Sequence, residues 1–120
     1  MSDYYIVEGK PTEILDSYFE QEDIPFTLFN FKISKVYKGE KDIKSKYIKV
    51  TQDGNKEDSF RSHPLMNINE KYVLFLKEIE DGRLIMIGGP NGKFEYKNDI
   101  KAFQSNVGET VNDSKLKKIN

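Results

Sequence analysis

Residues 29–40 read FNFKISKVYKGE. Phe29, Phe31 and Ile33 alternate with the polar Asn30, Lys32 and Ser34, the two-residue period of a strand with one face buried. The next inward position is 35. It holds Lys35, and the apolar residue arrives one place late, at Val36. A change of parity inside a strand predicts an inserted residue, a β-bulge, which bends the strand and raises its twist. The other reading is a regular strand whose end leaves Val36 partly covered. A small barrel needs long strands that bend so that the sheet can close on itself. The bulge reading, placed near Ser34 and Lys35, therefore predicts a barrel wall.

The flanking sequence is strand-like on both sides. KYIKVTQ (46–52) alternates, with Ile48 and Val50 on one face and Tyr47, Lys49 and Thr51 on the other. KYVLFLKEI (71–79) is apolar on both faces at its centre, as expected of a central strand. Asp81-Gly82 is the favoured pair for a hairpin turn, after which LIMIGG (84–89) returns. PNGKFEY (90–96) reads as a turn and a short strand around Phe94 and Tyr96. Upstream, YYIVEG (4–9) is β-branched and aromatic. The following KPTEILDSYFEQED (10–23) admits two readings. Thr12 with Ile14, Leu15, Tyr18 and Phe19 has the cap and spacing of a helix over 13–21. Alternatively the first strand passes Pro11 into a long loop. Residues 55–69 form a polar connection anchored by Phe60, Leu65 and Met66. The stretch from Val107 lacks a sustained apolar face and is expected to fray. The chain is thus predicted to be a single all-β domain over 1–106 with a frayed tail over 107–120. Five or six strands and at most one or two short helices give a sandwich or a small barrel.

Composition narrows the function classes. One hundred and twenty residues supply a single hydrophobic core. Nineteen basic and twenty acidic residues leave a net charge of −1, which argues against a dedicated nucleic-acid binder with its usual basic excess. No apolar run approaches the roughly 18 residues of a membrane span. Met1-Ser2-Asp3 begins neither a positive n-region nor an apolar h-region, so no signal peptide is read at the start of this sequence. Cysteine is absent, which excludes disulfides, a thiolate nucleophile and Cys-ligated zinc.

Several of these segments together resemble a known pattern. YYIVEGK, FNFKISKVYKGEKDIKSKYIKV, LMNINEKYVLFLKEIEDGRLIMIGG and PNGKF resemble small extracytoplasmic bacterial domains that are similar to netrin modules and to the inhibitory domain of tissue inhibitors of metalloproteinases (TIMPs). The resemblance covers roughly residues 4 to 96, and Lys38-Gly39 and KYVLFL carry it best. Asn69 stands where the bacterial pattern usually has glycine. The resemblance implies a five-stranded antiparallel Greek-key barrel of the oligonucleotide/oligosaccharide-binding (OB) type. It also implies a bacterial cell-envelope or secreted setting, although a cytoplasmic one is not excluded by the residues. It does not bring the inhibitory mechanism, because the metalloproteinase inhibitors reach zinc through an N-terminal cysteine and this chain has none.

The residues offer little catalytic chemistry. His63 is the sole histidine, and a metal or acid/base role would need partners the sequence does not cluster around it. GGPNG (88–92) lacks the following helix of a phosphate cradle, and Pro90 has no N–H to offer. Glu13, Asp16, Glu20, Glu22 and Asp23 match no calcium loop. No catalytic, cofactor-binding or metal site is therefore expected. Lys32, Lys35, Lys38, Lys41, Lys44, Lys46 and Lys49 fall within one hairpin region. Alternation puts Lys32, Tyr47 and Lys49 on its outer face, the usual ligand surface of an OB barrel. Two functions follow. The first is a non-catalytic binding or interaction domain whose partner is an unknown protein or an envelope polyanion. The second is an OB-type single-stranded nucleic-acid or polyanion binder that uses the lysine-rich hairpin 32–49. Against both stands the reading that surface lysines merely keep a β-protein soluble and its edges unpaired.

Overall fold

The structure is a computed structural model and describes residues 4–20, 24–39, 43, 45–54, 65–79, 83–87, 92–105 and 108–118. The chain runs through β1 (Tyr4–Glu20), β2 (Ile24–Lys38), β3 (Tyr47–Asp53), β4 (Tyr72–Glu78) and β5 (Leu84–Met86). It continues through β6 (Lys93–Lys97), β7 (Ala102–Ser105), β8 (Thr110–Val111) and the short helix α1 (Asp113–Lys117).

Neighbouring strands follow the order β1-β2-β3-β5-β4, and a further β1–β4 pairing closes the cycle into a five-stranded barrel. This is the OB-like architecture expected, with one correction to its strand directions. Four of the five pairings are antiparallel, whereas β3 and β5 run parallel through Val50↔Leu84 and Thr51↔Ile85. The cause is the crossover after β3. It delivers β4 to β1 rather than to β3, so the hairpin partner of β4 returns along β3 in the same direction.

One strand serves two neighbours. Tyr4–Gly9 of β1 pairs with β4, and Ile6–Glu20 pairs with β2. Gly9 sits at the crossing, where a Cβ would overlap the Lys32 carbonyl and lie 2.9 Å from Phe31 Cε2. Only a residue without a side chain lets the two backbones approach this closely.

β2 bends where its sequence breaks parity. Gly9 faces Ile33 and Glu8 faces Lys35, which leaves Ser34 as the inserted residue. Its hydroxyl donates to the Glu8 carbonyl at 3.1 Å. Ile33 before the bulge and Val36 after it both pack against the barrel core. A second register shift follows between Val36 and Lys38. Tyr37, on the face opposite Val36, belongs to a different cluster.

Residues 12–20 form neither the helix nor the loop expected as alternatives; they continue β1 as strand. Register shifts fall between Pro11 and Glu13 and between Ile14 and Asp16. These interruptions break strict alternation, which is why the apolar spacing imitates a helical face. Ile14 meets the barrel core, while Tyr18 stacks on Phe26 with ring centroids 5.9 Å apart.

The barrel interior holds Phe29, Phe31, Val50, Leu74 and Leu76, all fully buried, with Tyr72 and Met66 beside them. Of the residues expected inside, Phe31, Val50 and Leu74 are at the centre, and Ile33 and Ile48 are half-buried at its margin. The two apolar faces of β4 part company. Leu74 and Leu76 point into the barrel, and Val73 joins a second cluster outside it with Ile6, Tyr37, Phe94, Phe103, Val111 and Leu116. β6 covers that cluster by pairing with Tyr72–Leu74 of β4, next to the stretch where β5 pairs with Leu76–Glu78. β7 and β8 extend the sheet outward.

The tail read as fraying is docked over residues 110–118. Val111 and Leu116 are buried in the second cluster. Asn112 caps α1, its side chain accepting from the Lys115 N–H at 2.9 Å. Asp113 fastens the helix to the bent end of β2, accepting from Lys35 Nζ at 2.9 Å and from the Tyr37 hydroxyl at 2.7 Å. Two apolar residues five positions apart make no periodic face, so the sequence around them gave no sign of the surface they cover.

Candidate functional site

Paired residues of adjacent strands point to the same face. Phe31 pairs with Ile48 and Phe29 with Val50, and these four look inward. The intervening pairs, Lys32↔Tyr47 and Asn30↔Lys49, therefore look outward. Lys32, Tyr47 and Lys49 are all exposed, Tyr47 by 47%. The fold thus brings together the three residues that alternation had singled out.

It also adds one that alternation along the hairpin did not reach. Lys10 of β1 pairs with Lys32 and is exposed. Lys10, Lys32 and Tyr47 form one row across three strands, with Lys49 in the next row. Neighbours in such a row are about 5 Å apart across the sheet, and residues two apart along a strand about 7 Å. The Asn30 beside Lys49 is held in place: Thr12 Oγ1 donates to its carbonyl at 3.1 Å, and its Nδ2 donates back to Thr12 Oγ1 at 3.0 Å. The signal for Lys10 lay in the β1–β2 pairing, which a single-strand pattern does not contain.

Lys35 and Lys38 of the lysine run are engaged elsewhere. Lys35 is tied to Asp113, and the Lys38 ammonium sits 3.6 Å from the centroid of the Tyr4 ring. Lys41 and Lys44 lie outside the described residues. On the other flank of the face, Arg83 beyond β4 donates from Nη1 to the Tyr18 hydroxyl at 2.8 Å. That bond ties the β4–β5 connection to the long β1–β2 hairpin, the two loops that border the ligand face of OB barrels.

A second candidate site, a small cavity beside β6, was missed by sequence reasoning. Lys93, Glu95 and Lys97 alternate along β6 with Phe94 and Tyr96, which belong to the second cluster. Tyr72, Glu95 and Gln104 form a row across β4, β6 and β7. With Leu65 and Asn67 these residues line a cavity of about 170 Å³. Lys93 is buried at 6% exposure. Burial pushes its ammonium down from 10.5 to about 8, against the opposing pull of Glu95 and Asp53. Burial likewise pushes the Tyr72 phenol up to about 12, and its oxygen accepts from the Asn67 N–H at 2.8 Å. At the rim Lys97 pairs with Glu95 at 3.1 Å. The signal was the polar half of KFEYK, which the strand reading noted only for its aromatic half.

His63, Glu22, Asp23 and residues 88–91 lie outside the described residues. Glu13 and Asp16 lie on β1, where the Asp16 carboxylate accepts from the Ser17 N–H. Among the described residues, no group of three His, Cys, Asp or Glu could hold a metal ion, and no helix is long and apolar enough to cross a membrane. No protein-family model, curated protein or solved structure matches the chain.

Proposed function

We propose that the chain is a non-catalytic binding module of the netrin/inhibitor-like OB type, acting in the bacterial cell envelope or secreted from the cell. Its ligand is an envelope polyanion, held on the outer face of β1, β2 and β3. The observation that carries this reading is the exposed cross-strand row Lys10–Lys32–Tyr47 with Lys49 beside it. Edge protection does not account for Lys32. β2 is paired on both sides over Phe26–Lys32, so Lys32 has no open strand edge to guard. Ammonium groups suit this ligand class, since each acts as a mobile point charge that follows a flexible anionic chain without demanding bidentate geometry. The envelope setting rests on the sequence resemblance.

The test is a titration of fluorescently labelled polyphosphate at low and moderate salt. Wild type is compared with Lys32→Glu/Lys49→Glu and with Tyr47→Ala. Three lysine contacts to a single-stranded polyanion predict a slope of log K against log salt near about −2. Charge reversal is expected to weaken binding at least about tenfold, and Tyr47→Ala to leave it nearly unchanged. Absence of binding at low salt, or binding indifferent to the charge reversal, refutes the proposal. Tyr47 favours a second reading, single-stranded nucleic acid. That reading predicts a loss of about 1–3 kcal/mol for Tyr47→Ala with an oligonucleotide, the worth of one stacked base.

A further inference from the structure

The second side of β2 is paired only as far as Ile33. β3 covers it over Phe26–Lys32, and the Ile33 N–H donates to the Lys46 carbonyl at 2.6 Å. From Ser34 to Lys38, β1 alone pairs with β2 among the described residues. A strand with one side unpaired presents backbone N–H and C=O groups along that side. Where the two chains part, a groove of about 400 Å³ is lined by Ile33–Val36 and by Ile43, Ser45 and Lys46. Its floor is aliphatic: Ile33, Val36 and Ile43 are half-buried and pack against the barrel core. Its rim carries Ser34, Lys35, Ser45 and Lys46, all exposed. We propose that this groove docks an extended acidic segment of a partner protein. The segment adds to β2 as a strand beside Ser34–Lys38, with aliphatic side chains on the floor and acidic ones at the rim.

The unpaired edge suits a ligand with a backbone of its own, because an acyl chain or a polyphosphate brings no N–H donors to meet the strand's carbonyls. Successive side chains of an added strand point to opposite faces. One set therefore meets Ile33, Val36 and Ile43 while the other stays at the surface. The rim charge is positive, which suits carboxylates. Lys35 already holds one: Asp113 Oδ1 accepts from its Nζ at 2.9 Å. An ammonium has three donors, so that bond does not saturate it, and Lys46 adds a second cation. The same charges argue against a second copy of this chain as the occupant. Symmetric pairing of this edge with itself would set the lysines of one copy against those of the other, and like charges across a strand pair are destabilising. Edge lysines discourage indiscriminate pairing, so the groove admits an acidic strand and rejects a basic one.

The test titrates fluorescein-Val-Glu-Val-Glu-Val-amide into the full chain at moderate salt, followed by anisotropy. Saturable binding is expected, and none is expected for the counterpart with Lys in place of Glu. Lys46→Glu changes an exposed side chain and is expected to weaken binding about fivefold, the worth of one exposed ion pair. Methylation of every backbone nitrogen of the peptide is expected to abolish binding, and amide hydrogen exchange is expected to slow within residues 34–38 of the complex. Absence of peptide binding, binding that tolerates the methylation, or unchanged exchange at 34–38 overturns the proposal. Binding of decanoate in place of the peptide also overturns it, by assigning the groove to an acyl chain. Lys32→Glu/Lys49→Glu is expected to leave peptide binding unchanged. Loss of peptide binding in that variant would place the peptide on the polyanion face and refute the groove, so the two readings fail separately.

Discussion

Replacing Gly9 by alanine tests how the barrel closes. The position lies at the point where β1 leaves β4 and continues along β2: Gly9 pairs with Tyr72 on one side and Ile33 on the other. Its φ is not in the left-handed region, so the cost of a side chain there is steric. A Cβ would lie 2.9 Å from both the Lys32 carbonyl carbon and Phe31 Cε2, and closer still to the Lys32 oxygen. Carbon atoms rest at about 3.5–4.0 Å, so β1 and β2 must separate by more than half an ångström, beside a fully buried phenylalanine. Overpacking of this kind costs about 1–3 kcal/mol, and the added strain on two ladders places Gly9→Ala at the upper end, about 3 kcal/mol. The unfolding entropy of 120 residues is about 0.25 kcal/mol/K, so the midpoint falls by about 12 °C. Gly108→Ala is the control. Its φ is 92°, with nothing within 4 Å of an added Cβ, so it carries only the left-handed backbone penalty of about 1 kcal/mol. Far-UV circular dichroism during urea and thermal unfolding measures both variants, since the chain has no tryptophan. A Gly9→Ala protein as stable as Gly108→Ala, or more so, would refute the crossing geometry.

Three further outcomes follow from burial and charge. Phe31→Ala is expected to cost about 3–5 kcal/mol and the half-buried Ile48→Ala about 1–2, and equal urea midpoints for the two would contradict the layering of the core. Leu116→Ala should cost about 2–4 kcal/mol because the helix side chain is fully buried; an unchanged midpoint would mean that the tail is not docked in solution. The Asp113 carboxyl is held well below its ordinary 3.8 by hydrogen bonds from Lys35, Tyr37 and Lys117. Its depressed folded value means that its contribution is present above about pH 4 and is lost as pH falls through that value. Asp113→Asn is therefore expected to flatten the acid limb of a stability-against-pH curve, and an unaltered limb would exclude the latch.

The sequence by itself determined the fold class and the exposed outer face that Lys32, Tyr47 and Lys49 share. Phe29, Phe31 and Ile33 against Ile48 and Val50 carry a period of two, and that period is a local property of the extended backbone. The slip at Val36 is equally local, because one inserted residue flips every later side chain to the other face. Lys32, Tyr47 and Lys49 follow from the same parity. What the tertiary structure decided is everything that depends on which strand lies beside which. Residues 12–20 carry spacing compatible with a helix, and pairing with β2 made them strand. Leu116 looked like part of a polar tail until Ile6, Val73 and Phe103 gave it a surface to cover. Lys10 joined that face through its register with Lys32. The buried amine of Lys93 exists because β4 and β7 flank β6 and remove water from a side chain that in isolation would be solvated. Parity is encoded residue by residue, whereas burial is the product of contacts between residues far apart in the chain, and it is burial that sets the charge state of an amine.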